Sequence, residues 1–112
     1  MKRYCLALDL VDDPQFIEQY KIHHQNVPPY IEESIRQAGI QVMDIYLTGN
    51  RLFMIMEVTD DFSFEKKSKM DAEDDQVQEW EQMMDRLQKA LPWAKRGEKW
   101  VLMDSIFSLK DK

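Results

Sequence analysis

Several residue types that support other classes of protein are scarce in this sequence. Among 112 residues there is one cysteine, at position 5, so an intramolecular disulfide is impossible and a reducing compartment, the cytoplasm, is expected. The three glycines stand at positions 39, 49 and 97, which leaves no glycine-rich loop for a phosphate. The longest strongly apolar run covers residues 52–56. Because a bilayer span needs roughly 20 apolar residues, we expect no membrane segment.

Basic residues are also in deficit, with 15 Lys and Arg against 21 Asp and Glu and a formal net charge of −6. The densest basic stretch, residues 65–69, is too short to form the basic stripe that a phosphate backbone requires, so we expect no nucleic acid partner. What is present is a 44% share of hydrophobic residues. That share is enough for a single domain over residues 1–112 with its own core.

Alternating polarity at the start of the chain predicts a first strand over residues 3–10. One face of this strand holds Tyr4, Leu6, Leu8 and Leu10, and the other holds Arg3, Cys5, Ala7 and Asp9. A helix is predicted to begin at Pro14, because Asp12 or Asp13 can cap it and its first turn needs no amide hydrogen. Pro28 and Pro29 interrupt the helical pattern, which resumes and ends at Gly39.

The remainder of the chain predicts three strands and two helices. Residues 40–47 and 51–58 form adjacent antiparallel strands joined by the turn Thr48-Gly49-Asn50. Residues 59–75 are polar and charged, which predicts a short helix in a solvated connection. A helical period then predicts an amphipathic helix ended by Pro92, with the apolar positions Val77, Trp80, Met84, Leu87 and Leu91. Residues 100–107 are predicted to form the last strand.

The order strand, helix, strand, strand, helix, strand is typical of a ferredoxin-like α+β domain, an antiparallel sheet with helices on one face. The opposite face of the sheet is then largely apolar. Its candidate residues are Cys5, Ala7, Met43, Ile45, Phe53, Ile55, Val101 and Met103. Since apolar surfaces of this extent are rarely left exposed in monomers, we expect a second copy to cover this face in a homodimer.

The two histidines, His23 and His24, are adjacent on the first predicted helix. They point about 100° apart, so they do not form a two-histidine metal face. Neutral imidazole donates and accepts protons near pH 7, so either could act as a general acid/base, although an ordinary helix histidine is the more common interpretation. Spacing does not choose between the two. His24 follows Tyr20 by one helical turn, so those two side chains can meet.

Four other side chains are candidates for a site. Tyr20 could bond a substrate hydroxyl, and Trp80 could stack on the C–H face of a sugar, but each could equally pack in the core. Asp44 and Asp104 each interrupt an apolar strand. A carboxylate directed into a core is costly unless it is paired or functional, so both are candidates, although either could face solvent.

Taken in order, these residues resemble the L-rhamnose mutarotase family over nearly the whole chain. The family's Tyr-x-x-x-His is matched by Tyr20-Lys21-Ile22-His23-His24. Further matches are Pro29, Gly39, Ile45-Tyr46-Leu47, Leu52-Phe53, Glu57, and Trp80 with Met84. The resemblance implies a cytoplasmic isomerase without metal or other cofactor, built as a dimeric α/β-barrel, that interconverts the α and β anomers of a monosaccharide by ring opening.

The resemblance also implies roles for particular residues. His24 takes the position of the catalytic proton donor, and Tyr20 and Trp80 take sugar-binding positions. The chain departs from the family at Met43, where type members have a second sugar-binding tyrosine, and at Glu81, where they have a second tryptophan.

These departures bear on the sugar. Pro28 replaces a further tryptophan, and the stretch from Glu57 to Trp80 is longer than in the family. The implied substrate is a deoxyhexose such as L-rhamnose, with L-fucose or another pyranose as alternatives. We expect His24 to act as acid/base while Tyr20, Asp44 or Glu81 holds hydroxyls, Trp80 stacks on the ring and Met43 lines the sugar site.

Two other functions share the predicted fold. Dimeric ferredoxin-like proteins include cofactor-free monooxygenases and haem-degrading enzymes with a histidine in the pocket. Besides a mutarotase and these enzymes, a third interpretation is a small dimeric domain that binds a ligand without turning it over.

Overall fold

The computed structural model describes residues 1–110, so residues 111 and 112 of the predicted domain lie outside the described residues. Its elements are β1 (Lys2–Leu10), α1 (Pro14–Gln25), α2 (Pro29–Gln37), β2 (Ile40–Thr48), β3 (Arg51–Val58), α3 (Phe64–Ala72), α4 (Asp75–Asp85), β4 (Gln88–Lys89) and β5 (Val101–Leu102). None of the helices in this part of the chain is both long and apolar enough to cross a membrane.

The strands form an antiparallel sheet in the order β2-β3-β1-β4, with β5 also pairing with β1. The long ladder between β1 and β3 runs from Lys2 opposite Val58 to Asp9 opposite Arg51. Alternate residues of these strands are buried beneath the helices. Those core residues are Leu6, Leu8, Leu10, Leu52, Met54, Met56 and Val58. An antiparallel sheet with helices on one face is the predicted architecture, and it is confirmed.

Asp9 is a buried charge on the other face of the sheet, which we call the open face. Its carboxylate accepts hydrogen bonds of 2.7 and 3.2 Å from the guanidinium of Arg51, its partner across the ladder. That guanidinium also lies 5.1 Å from the ring centre of Trp93. Because a buried carboxylate is tolerated only when paired, this contact ties β1 to β3 at one end of the sheet.

The first helical pattern is divided as the prolines predict. The side chain of Asp13 accepts a 2.8 Å hydrogen bond from the backbone of Gln15, which caps α1 with Pro14 in its first turn. The chain leaves α1 after Gln25 and enters α2 at Pro29. Gly39 then follows α2 with φ of 98°, a conformation that glycine adopts readily.

Met43 and Ile45 were predicted on the open face, and this is wrong. They pair with Met56 and Met54 and pack against the core on the helix side. The register of β2 shifts between Ile40 and Val42, as in a β-bulge. Because one extra residue reverses the alternation of a strand, every side chain after the bulge changes face.

Two elements are shorter than predicted: α4, which was predicted to continue to Pro92, and the last strand. The helix ends at Asp85, not at Pro92, and the chain returns to β1 through a 2.9 Å hydrogen bond from the Val11 amide to the Leu87 carbonyl. Leu87 is buried in the same core as α4, which is why its spacing imitates a helix. The last strand covers only Val101–Leu102. The short helix predicted within residues 59–75 is confirmed as α3.

Candidate functional site

A cavity of about 870 Å³ lies between the helices and the sheet, within the usual size range of small-molecule sites. All six residues predicted for the site border it: Tyr20 and His24 from α1, Met43 and Asp44 from β2, and Trp80 and Glu81 from α4. The fold therefore brings together residues that are up to about sixty positions apart in the chain.

His24 has one ring nitrogen engaged and one available. Its Nδ1 lies 2.8 Å from the backbone carbonyl oxygen of Tyr20, one helical turn earlier. Because a carbonyl oxygen only accepts, Nδ1 is the donor in this bond and holds the proton of the neutral ring. Nε2 has no hydrogen-bond partner among the described residues, so its lone pair can accept a proton from a ligand.

Burial lowers the pKa of His24 below its ordinary value of 6.5, the hydrogen bond to Tyr20 opposes this in part, and the charge of His23 lowers it further. His24 is therefore neutral at pH 7 and able to act as a base. His23 does not border the cavity, although its ring lies 6.3 Å from that of Trp80. The structure thus distinguishes His24, which borders the cavity, from His23, which does not; the spacing of residues in the sequence does not make this distinction.

Tyr20 lies against His24, with ring centres 4.2 Å apart and planes at 29°. Burial raises the pKa of Tyr20 to about 12, hydrogen bonding with Gln88 lowers it in part, and the negative charge of Glu81 raises it. The hydroxyl therefore keeps its proton at neutral pH and can donate a hydrogen bond.

Trp80 completes the aromatic part of the site. Its ring meets that of His24 edge to face, with centres 5.7 Å apart. Such an aromatic wall beside a base provides an apolar surface against which the C–H face of a sugar can stack.

Glu81 is held by Lys99, whose Nζ lies 2.9 Å from Oε2 of Glu81 and also contacts Asp85. Burial works against the charge of Lys99, but the hydrogen bonds to Asp85 and Glu81 outweigh it, and the pKa of Lys99 is raised. The carboxylate at the cavity wall is therefore oriented by a cation.

The two aspartates are placed differently from Met43. Met43 faces the core beside the cavity. Asp44 is also part of the cavity border, but it pairs with Ile55 and its exposed side chain lies on the open face. Asp104 is exposed beyond β5 and does not border the cavity. Neither carboxylate is directed into the core.

Sequence reasoning missed several polar residues at or beside the cavity, among them Gln88, Lys67 and Lys99. Lys67 borders the cavity and forms a 2.5 Å ion pair with Asp71, four residues later on α3. The spacing of Lys67 and Asp71 was a usable signal. Lys99 and Gln88 gave none, because their neighbours in the fold are distant in the sequence.

The site combines an unoccupied basic nitrogen, a phenol that remains protonated, an aromatic wall and a fixed carboxylate. Hydroxyl groups both donate and accept hydrogen bonds, so a polyhydroxylated neutral molecule matches this set. The base beside it is suited to proton transfer at one of those hydroxyls.

Comparison with known proteins agrees with a ligand that carries several hydroxyl groups. The chain is 42% identical to an L-fucose mutarotase of Xanthomonas campestris pv. campestris, over 99% of this chain and 90% of that protein. Its fold matches the crystal structure of an L-rhamnose mutarotase from Formosa agariphila with a TM-score of 0.72 at 17% identity, covering 97% and 99% of the two chains. It also matches the tetracenomycin F2 cyclase of Streptomyces glaucescens, with a TM-score of 0.60 at 14% identity and 96% coverage of each chain.

The last two likenesses show the shared fold alone and confirm the predicted fold class. The family model described as L-rhamnose mutarotase matches residues 3–109, nearly the whole of the chain. Together with the relative at 42% identity, this match confirms the resemblance seen in the sequence. The chain belongs to the L-rhamnose mutarotase family, a family of sugar isomerases.

Proposed function

We propose that this protein is a mutarotase that interconverts the α and β anomers of a 6-deoxyhexose, with His24 as its acid/base. The observation that supports this most strongly is the state of His24. Its Nδ1 is engaged by the Tyr20 carbonyl, Nε2 has no hydrogen-bond partner within residues 1–110, and the residue borders the cavity. Burial lowers the pKa of the ring, so that it is neutral.

The proposed reaction moves one proton out and one proton in. Nε2 of His24 takes the proton of the C1 hydroxyl, and the imidazolium so formed returns that proton to the ring oxygen, which is bonded to the same carbon. The bond between C1 and the ring oxygen breaks, and the aldehyde forms. Rotation about C1–C2 presents the other face of the aldehyde. Closure reverses the proton transfers and gives the other anomer, so no metal, nucleotide or net redox change is required.

Four residues are proposed to hold the sugar. The Tyr20 hydroxyl donates a hydrogen bond, the Glu81 carboxylate accepts from hydroxyls, Trp80 stacks on the ring, and Met43 contacts an apolar edge. Support comes from their common position around the cavity. We assign no sugar contact to Asp44, because its side chain lies on the open face.

L-rhamnose and L-fucose are the two candidate substrates, and different observations favour each. The family that matches the chain is described by L-rhamnose. The relative at 42% identity is named for L-fucose, and it covers 99% of this chain. The two sugars differ in configuration at C2 and C4, so hydroxyl contacts in the cavity decide between them.

Proton NMR with selective inversion of one anomer tests this proposal. We expect catalytic amounts of protein to accelerate exchange between the anomers of one or both sugars above the rate in buffer. No acceleration with either sugar, or with a wider panel of pyranoses, would contradict the proposed activity.

We further propose that the single domain acts as a cytoplasmic homodimer. Cys5, Ala7, Phe53 and Ile55 share the open face by their register, and Tyr46 on the same face is 58% exposed. A second copy packed on this face would bury these side chains. The free thiol of Cys5 is compatible with the cytoplasm.

A further inference from the structure

Gln88 is a cavity residue whose hydrogen bonding is incomplete. It belongs to β4, where its pairing with Leu10 of β1 fixes its backbone beside the cavity. Within residues 1–110, Oε1 of Gln88 is buried and has no hydrogen-bond partner. Buried polar side-chain atoms are paired in the great majority of cases, so an unpaired one at a ligand cavity requires an explanation.

The neighbour Tyr20 indicates how the Gln88 amide is oriented. Hydrogen bonding with Gln88 lowers the pKa of Tyr20, which is the effect of an N–H donor at the phenolic oxygen. In that orientation Oε1 is the end of the amide that lacks a partner among the described residues.

We propose that Gln88 is a sugar-binding residue whose unpaired amide end forms a hydrogen bond with a hydroxyl of the substrate. This inference rests on the proposed mutarotase function. A hydroxyl group suits this position because its O–H can donate a hydrogen bond to the unpaired amide oxygen. The amide reaches its ligand by a small rotation of its terminal torsion, which is soft in glutamine.

The location of Gln88 ties this contact to the reacting centre. Tyr20, His24 and Gln88 border the same cavity, and the ring of Tyr20 stacks on His24 with centres 4.2 Å apart. A pyranose whose C1 hydroxyl meets His24 can therefore place another hydroxyl at Gln88. The contact lies away from the reacting bond, so it contributes to binding and specificity and not to the chemical step.

Specificity follows from the unpaired amide. A sugar that lacks the hydroxyl, or presents it in the other configuration, leaves the buried amide end without a partner and binds less well. Gln88 is therefore a determinant of which hydroxyl pattern the cavity accepts.

The test compares Gln88→Met with Gln82→Met, the same substitution at an exposed position of α4. Anomer exchange is measured by NMR over a range of L-rhamnose and L-fucose concentrations, and with the 2-, 3- and 4-deoxy analogues of the better sugar. In Gln88→Met we expect KM to rise about 5- to 10-fold with kcat within about twofold, and Tm to be unchanged or higher. The wild type is expected to disfavour one deoxy analogue by about tenfold, and Gln88→Met is expected to lose that preference.

Two results would overturn the role of Gln88 and leave the mutarotase function intact. One is a KM in Gln88→Met equal to that of the wild type and Gln82→Met. The other is a parallel fall of kcat and Tm, which would indicate a packing role.

A wild type without activity on any sugar would instead contradict the proposed function. Sugar binding is then followed by chemical shift changes in the protein. Binding weakened in Gln88→Met alone would still support its role as a ligand residue, and equal binding in all three proteins would overturn it.

Discussion

His24 and Tyr20 form the smallest unit of the proposed chemistry. The backbone carbonyl of Tyr20 fixes the proton of His24 on Nδ1, and the ring of Tyr20 covers one face of the imidazole. The same helical turn that places the two side chains together therefore also selects the tautomer. Two residues one helical turn apart on α1 thus supply a base and a hydroxyl donor.

The lowered pKa of His24 predicts the pH dependence of activity. Because the neutral ring is the base, kcat/KM for anomer exchange is expected to be constant at neutral pH and to fall as pH decreases through a value below 6.5. The charge of His23 contributes to lowering this pKa, so the acid limb of His23→Gln is expected to lie at higher pH than in the wild type. An acid limb that is unchanged or moves to lower pH in His23→Gln would contradict this account.

His24 also links stability to pH. The unfolded chain, in which the pKa has its ordinary value of 6.5, binds a proton more readily than the folded chain. The stability associated with neutral His24 is therefore fully present above that pH and is lost as pH falls. Thermal unfolding of the wild type and His24→Gln between pH 5 and 8 measures this, and the wild type is expected to lose Tm more steeply on acidification.

At the residue scale, the members of the candidate site could be predicted only in part from the sequence. Periodicity placed His23 and His24 on a helix beside Tyr20, but only the position of α4 distinguishes the one that borders the cavity. The resemblance to the family named His24, whereas Gln88 was assigned to no role because its partners are brought together by strand pairing.

At the scale of elements, the site depends on how α2 turns into β2 at Gly39. Its φ is 98°, and a Cβ at this position would lie 2.7 Å from Oγ1 of Thr59. Both the left-handed conformation and the close approach therefore require glycine. This turn starts β2, the strand that supplies Met43 to the cavity.

Gly39→Ala is accordingly expected to destabilise the fold by at least about 2 kcal/mol, since strain from φ and a steric clash add. Gly97→Ala is the matched control, because Gly97 has φ of 82° but no atom within 4 Å of the added Cβ. We expect the control to cost about 1 kcal/mol. Urea unfolding of both variants tests the difference, and equal losses would contradict the role of the close approach to Thr59.

Elements with a regular pattern were predictable, and those set by pairing were not. The alternation of β1, the cap at Asp13 and the prolines at 28 and 29 placed β1, α1 and α2 correctly. The bulge in β2 places Met43 and Ile45 on the face opposite to the predicted one. The sequence gives no sign of this, because both faces of that strand carry apolar side chains. The end of α4 was misplaced because Leu87 is buried in the same core although it lies beyond the helix.

At the scale of the whole molecule, the open face is proposed to join two copies. Ile55 lies near the middle of this face, between Cys5 of β1 and Asp44 of β2. A charge buried without a partner in an interface is strongly unfavourable, so Ile55→Glu is expected to convert the dimer into a monomer at micromolar concentration.

Ile22→Glu serves as control, because Ile22 lies on α1 and is 50% exposed. Analytical ultracentrifugation of the wild type and both variants measures the assembly. A wild type that is monomeric, or an Ile55→Glu variant that remains dimeric, would contradict the proposed interface.

The most direct test of the central claim is the NMR rate of anomer exchange in His24→Gln beside His23→Gln, with L-rhamnose and L-fucose as substrates. If His24 is the acid/base, His24→Gln is expected to reduce kcat/KM about 10²- to 10⁴-fold while it remains folded, and His23→Gln is expected to retain activity. Full exchange activity in a folded His24→Gln variant would contradict the account.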